Sequence, residues 1–295
     1  MRALVIGWAS FRHGEATAGD VLSMRRVDEA LSTMGLPHDL AWSPVYRPGD
    51  VNYEEVDPAR YSHVVFVCGP AHGRQVREVH RRFAHCHRIA VGVSVIDPED
   101  DTVTGFDEIF ARDQGGLGSP DLSLGVPTDT VLVTGVILAP GQQEYGDLGH
   151  HAAVHASVKD WIAGVDCARV PLDTRLAASD WERCETPDQF TSILSHLDVV
   201  VTTRLHGLVL SLQAGVPALA IDPVEGGGKV TAQADALGWP ALVPAEEAAN
   251  RDVLDSWWRW CSSVQGRAMA ALRALPGDDG LMRDMVKALK TRPVR

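Results

Sequence analysis

The sequence is short of the features that mark several common protein classes. It has only five cysteines, an odd number, and Cys68, Cys86, Cys167, Cys184 and Cys261 form no CxxC pair. That argues against a disulfide framework or a cysteine zinc site and for a reducing compartment, so the expected location is the cytoplasm. Basic residues are also scarce: 27 Lys and Arg against 39 Asp and Glu give a formal charge of −12. Nucleic acids and anionic membranes are usually met with a basic patch, so overall charge argues against both, although a local patch is still compatible with it. No apolar run is long enough to span a bilayer. The opening MRALVIGW turns polar too soon for a signal peptide and reads as a first strand. No internal repeat or low-complexity tract is visible.

What is present is a rhythm. Short Val- and Ile-rich runs occur at residues 3–6, 64–67, 89–95, 131–138, 167–170, 199–203 and 218–221. Their apolar character is continuous rather than alternating, which predicts strands buried on both faces. Helical patterns separate them, at residues 21–34, 73–84, 150–163 and 187–197. Strands alternating with helices predict an α/β fold with parallel sheets. A segment dense in Asp, Gly, Pro and Ser, residues 97–128, divides the strands into three and four. The expectation is two Rossmann-like, doubly wound domains, 1–128 and 129–295, facing a cleft lined by the carboxyl ends of strands. Residues 246–290 read as a helical tail that packs on the body through Trp257, Trp258 and Trp260.

The richest stretch is residues 198–229, DVVVTTRLHGLVLSLQAGVPALAIDPVEGGGK. A strand ends in Arg204, Leu205 and His206, and an apolar helix follows. Gly215 reads as its C-terminal cap, and Pro217 opens the next strand. Free amides of Leu205, His206 and Gly207 at the helix start attract an anion. Arg204 adds a guanidinium fork suited to carboxylate or phosphate. The Gly226–Gly227–Gly228 run then presents a second cation, Lys229. The plainer alternative is that Arg204 pairs with a structural carboxylate and His206 only caps the helix.

This block resembles the C-terminal signature of the polysaccharide pyruvyl transferase family: Asp198, Arg204-Leu205-His206, Gly215-Val216-Pro217, a strand, then Lys229. Weaker echoes are Gly7 with Gly19-Asp20, Cys68-Gly69-Pro70, and Arg112-Asp113. The resemblance implies a GT-B-like fold and a transferase needing no metal or other cofactor. It also implies transfer of the enolpyruvyl unit of phosphoenolpyruvate to a hydroxylated, sugar-like acceptor in polysaccharide biosynthesis. On that reading Arg204, Leu205, Gly207 and Lys229 bind the donor, and His206 is the general acid that protonates the enol carbon. The sequence departs from the family at Ala139, where members commonly carry an arginine in a Ser-x-Arg setting.

His13, Glu15 and Asp20, in the loop after the first strand, are candidate bases toward an acceptor hydroxyl; Asp20 also reads as a helix cap. Gln143 and Tyr145, in a strand-end loop, and His72, in another, are candidate acceptor contacts. His151 and His155, with Asp147 upstream, have helical metal-ligand spacing but read as surface residues. His80, Arg81, Arg82, His85, His87 and Arg88 read as the solvated face of one helix. The other readings are a nucleotide-sugar glycosyltransferase gripping a diphosphate with Arg204 and Lys229, with Glu225 nearest for a ribose, and a relative that binds without catalysing. The expected partners are small molecules, with neither nucleic acid nor membrane insertion.

Overall fold

The structure, a computed structural model, describes residues 1–274 and 280–291 and falls into two compact units, Met1–Asp129 and Thr130–Arg295. The first unit runs β1 (Ala3–Gly7), α1 (Ala18–Thr33), β2 (His38–Leu40), β3 (His63–Val67), α2 (Arg74–Arg82), β4 (His87–Ser94), α3 (Asp101–Thr104), β5 (Glu108–Gln114) and β6 (Leu117–Gly118). The second runs β7 (Val133–Ile137), α4 (His151–Ala163), β8 (Ala168–Leu172), α5 (Pro187–Leu194), β9 (Val199–Thr202), α6 (Leu205–Gln213), β10 (Ala218–Ile221), α7 (Lys229–Leu237) and β11 (Leu242–Val243). Three tail helices follow: α8 (Arg251–Ser262), α9 (Val264–Arg273) and α10 (Gly280–Thr291).

Both units are doubly wound α/β sheets, as the strand–helix rhythm predicts. The first sheet has the order β2-β1-β3-β4-β5-β6 and the second β11-β10-β9-β7-β8. All ladders are parallel except β5–β6. Numbered from its own first strand, each unit follows the flavodoxin-like order 2-1-3-4-5. The central strands are apolar because both faces are covered. Leu4, Ile6, Val64 and Phe66 enter one core layer, while Val5, Val65 and Val67 enter the other. In the second unit Val199, Val200 and Val201 are wholly buried, and Trp257, Trp258 and Trp260 pack the tail against the same core.

Four strands escaped the apolar-run reading, and all lie toward sheet edges. β2, β6 and β11 are three residues or fewer. β5, sequence EIFARDQ, lies inside the segment read as loop and is only partly buried. A strand near an edge need not be apolar on both faces, so it leaves no continuous run. Three further expectations need correction. The cap of α1 is Thr17, whose Oγ1 accepts the Asp20 amide at 3.2 Å, so Asp20 sits in the first turn and does not cap the helix. The basic cluster is not one solvated helix face. α2 ends at Arg82, whose guanidinium donates to the carbonyls of Tyr53, Glu54 and Val56, and His87 and Arg88 open β4. His151 is buried rather than on the surface, and His155 is partly buried.

Candidate functional site

In a doubly wound sheet, ligands bind beyond the strand carboxyl ends where the winding reverses. In the second unit that point lies between β7 and β9. A cavity of about 720 Å³ opens there, lined by Ala139–Pro140–Gly141–Gln142–Gln143–Glu144 after β7, by Arg204, Leu205 and His206 after β9, and by Lys229. The fold thus brings Arg204, Leu205, His206, Lys229 and Gln143 together. Gly207 and Tyr145 do not line the cavity. His13, Glu15, Asp20 and His72 belong to the first unit.

The strand ends are tied together by two threonines. Thr202 Oγ1 donates to the Ile137 carbonyl at 3.1 Å and accepts the Arg204 amide at 3.0 Å. Thr203 Oγ1 accepts the Ala139 amide at 2.9 Å and lies 3.1 Å from His155 Nε2. These bonds fix where Arg204 leaves the strand and α6 begins. Gly207 serves that junction sterically: a Cβ there would lie 2.2 Å from Thr202 Oγ1. Its contribution is a close approach of helix to strand.

The two helix starts at the site differ. At α6 the first amide bonded within the helix is that of Leu208, to Arg204 O, so the amides of Leu205, His206 and Gly207 have no intrahelical partner. At α7 a built-in anion occupies the corresponding place. Asp222, wholly buried after β10, accepts from Gly228 N (2.7 Å), Thr231 N (2.8 Å) and Thr231 Oγ1 (2.8 Å) through one oxygen, and from Val224 N (3.1 Å) through the other. This carboxylate folds residues 223–228 into a fixed loop and starts α7 at Lys229. One helix start is therefore closed by a carboxylate of the chain, and the other faces a cavity.

Arg204 is also paired. Its Nη1 donates to Asp173 Oδ1 at 3.1 Å, just after β8, and Arg175 Nε holds the other oxygen of Asp173 at 2.7 Å. Burial acts to raise the Asp173 carboxyl, but the hydrogen bonds from Arg175 and the charges of Arg175 and Arg204 outweigh it and hold the group below its ordinary range. The carboxylate alternative for Arg204 is thus realised, and Arg204 lines the cavity at the same time. His206 is exposed on the first turn of α6. Asp173, Asp222 and Glu144 went unread in the sequence. The available signal for the first two was a carboxylate directly after an apolar strand, in VPLD and LAID.

Behind this wall, His151 and His155 stand 6.2 Å apart, ring to ring. Burial lowers both below the ordinary histidine range; Lys229 adds to the effect at His151 while Asp222 opposes it, and His151 and Lys159 add to it at His155. Among the described residues no group of three or more His, Cys, Asp or Glu could hold a metal ion. In the first unit the equivalent reversal, between β1 and β3, is filled by Trp8: a Cβ on Gly69 would fall 2.1 Å from its ring. Arg112 there is bound by Asp121, Asp113 and Ser94.

Residues 157–223 match the model of the polysaccharide pyruvyl transferase family. The matched segment contains Asp173, Arg204, His206 and Asp222. No curated protein matches the chain at a significant level. Among solved structures, MurG of Acinetobacter baumannii is 10% identical over 99% of this chain and 100% of its own, with a TM-score of 0.37. The glycosyltransferase SnogD of Streptomyces nogalater is 14% identical over 98% and 100%, at 0.31. The E. coli heptosyltransferase WaaC with ADP is 11% identical over 88% and 100%, at 0.28. The chain forms two α/β units. Within the second, the match to the polysaccharide pyruvyl transferase model over residues 157–223 bears out the resemblance carried by the Arg-Leu-His block.

Proposed function

We propose that the protein transfers the enolpyruvyl unit of phosphoenolpyruvate to a hydroxylated, sugar-like acceptor in polysaccharide biosynthesis, in the cytoplasm. The observation that carries this reading is the convergence of an open helix start, Arg204 and Lys229 on one cavity within and beside the matched segment. Phosphoenolpyruvate presents a carboxylate and a phosphate, so it needs two cationic contacts and amides for the remaining oxygens. One acceptor hydroxyl oxygen adds to its C2 as C3 takes a proton, the bond from C2 to the phosphate oxygen breaks, and the second hydroxyl oxygen adds to C2 to close a cyclic ketal; of the two hydroxyl protons, one replaces the proton given to C3 and the other leaves with the phosphate. His206 supplies the C3 proton, and Lys229 and the α6 amides stabilise the departing phosphate. Glu144, the carboxylate on the cavity wall, is a candidate base toward the acceptor hydroxyl. Gln143, on the cavity wall, is the acceptor contact in this reading.

A nucleotide-sugar donor is the second reading, since the same cations suit a diphosphate. Against it, Glu225 pairs with His150 at 3.0 Å and does not line the cavity. Thermal melting with phosphoenolpyruvate, nucleoside diphosphates and nucleotide sugars separates the two. A ligand at 100 times its Kd adds about 2.7 kcal/mol, which raises the midpoint by several degrees. Stabilisation by phosphoenolpyruvate supports pyruvyl transfer, and stabilisation by nucleotides alone moves the assignment to glycosyl transfer.

A further inference from the structure

Trp181 stands apart from the other tryptophans. It is 91% exposed, the most exposed large apolar side chain among the described residues, whereas the other seven tryptophans are buried or half-buried. An indole carries a large apolar area, so holding it in water is unfavourable unless a ligand covers it. The chain nevertheless fixes it there, in the loop between β8 and α5. Asp180 Oδ1 accepts the Glu182 amide at 3.1 Å, Asp180 pairs with Arg183 at 3.2 Å, and the Ala177 amide donates to the Cys184 carbonyl at 3.0 Å. Trp181 lines a second cavity of about 550 Å³, together with Asp173, Glu182, Asp188, Gln189 and Phe190.

The polar groups of this cavity choose its occupant. The carboxylates of Glu182 and Asp188 have no hydrogen-bond or ion-pair partner among the described residues. Gln189 gives its side-chain oxygen to the amides of Glu185 and Thr186, which leaves its Nε2 to donate. The cation on the wall, Arg183, is met by Asp180. Unpaired carboxylates repel an anion such as the donor, whereas an aromatic plane beside free acceptors suits a neutral ring with an apolar face and hydroxyls on its edge. Position gives a second argument. Asp173 lines this cavity and pairs with Arg204, which lines the first, so one ion pair stands between the two. We infer that Trp181 stacks on a pyranose ring of the acceptor, next to the ring that receives the transferred unit. Glu182 and Asp188 accept from its hydroxyls, and Gln189 donates to it. The inference rests on the sugar-like acceptor proposed above and makes that acceptor an oligosaccharide rather than a single sugar.

The test is capture of the fluorescently labelled full-length protein on a printed array of mono- and oligosaccharides, without donor, for wild type, Trp181→Ala and Trp181→Phe. Wild type is expected to hold at least one oligosaccharide more tightly than the monosaccharides that compose it. Trp181→Ala is expected to lose about tenfold in that binding, and Trp181→Phe to keep most of it, because a ring is still presented. Melting should be unchanged in both variants, since the side chain is exposed. No capture of any oligosaccharide by wild type, or equal capture by Trp181→Ala, overturns the inference. So does capture confined to glycans with a free amine, which the carboxylates alone would explain, or a dimer in sedimentation that Trp181→Ala dissociates without any glycan capture by wild type. Titration of phosphoenolpyruvate into wild type tests the donor separately. Capture that needs Trp181 supports the subsite whether or not phosphoenolpyruvate binds, and phosphoenolpyruvate binding without such capture refutes the subsite alone.

Discussion

Replacing Asp222 with alanine is expected to damage stability and anion affinity by separable routes. The carboxylate is wholly buried and satisfies four donors between Val224 and Thr231. Hydrogen bonds to charged groups contribute about 1.5–3 kcal/mol each, but these four share one anion and the freed loop reaches water, so they do not add. Each neutral donor left buried without its acceptor costs about 1–3 kcal/mol, so a loss of about 3–5 kcal/mol is expected for the set. Asp222→Asn keeps the shape and one accepting oxygen and is expected to cost about 1–2 kcal/mol. Trp161, Trp181, Trp239, Trp257, Trp258 and Trp260 all lie in the second unit, so tryptophan fluorescence in urea reports largely on its unfolding. The second effect runs through Lys229. With the loop released, the ammonium is no longer held at the cavity, and the affinity for phosphoenolpyruvate is expected to fall about tenfold, the value of one charge-assisted contact. In a Lys229→Ala background that further loss should vanish while the stability loss persists. Wild-type stability in Asp222→Ala refutes the structural argument, and an affinity loss of equal size with and without Lys229 refutes the positioning argument.

Gly207→Ala places a methyl 2.2 Å from Thr202 Oγ1 and 3.3 Å from Ile137 Cγ2, both on buried residues. It should cost about 1–3 kcal/mol and weaken anion binding together, read by urea unfolding and calorimetry. His80, His151 and His155 have their pKa values lowered by burial, from an ordinary 6.5, so the unfolded chain takes up those protons first. Their contribution to stability is full above about pH 6.5 and is lost as pH falls through that value toward the lower folded ones. His38 opposes them: burial acts to lower it, but the Leu36 carbonyl and Asp28 raise it, so its contribution is full at low pH and lost as pH rises through its folded value. Melting temperature should therefore fall on mild acidification, and His155→Gln should flatten the fall. His206→Gln should reduce turnover far more than donor affinity, measured by phosphate release against calorimetric binding.

The apolar runs announced the central strands because a strand covered on both faces leaves a run with no polar interruption, as VVV at 199–201 does. Strands at or next to a sheet edge, such as HDL and EIFARDQ, leave no such trace. Arg204, His206 and Lys229 could be read from the Arg-Leu-His block because a strand end, a helix start and a glycine loop are local features. Asp173 could not be paired with Arg204, since 31 residues and the β8–β9 crossing separate them and only the sheet order makes them neighbours. Nothing local to Asp222 marks its role, which depends on the 223–231 backbone turning back on it. The burial of His151 and the partial burial of His155 follow from α4 covering the sheet, which helical spacing alone does not reveal.

Calorimetric titration of phosphoenolpyruvate into wild type and Arg204→Ala tests the central claim most directly. Saturable binding by wild type that disappears in Arg204→Ala, with the variant still folded, is the predicted result. No binding by wild type, or binding of equal strength in both proteins, contradicts it.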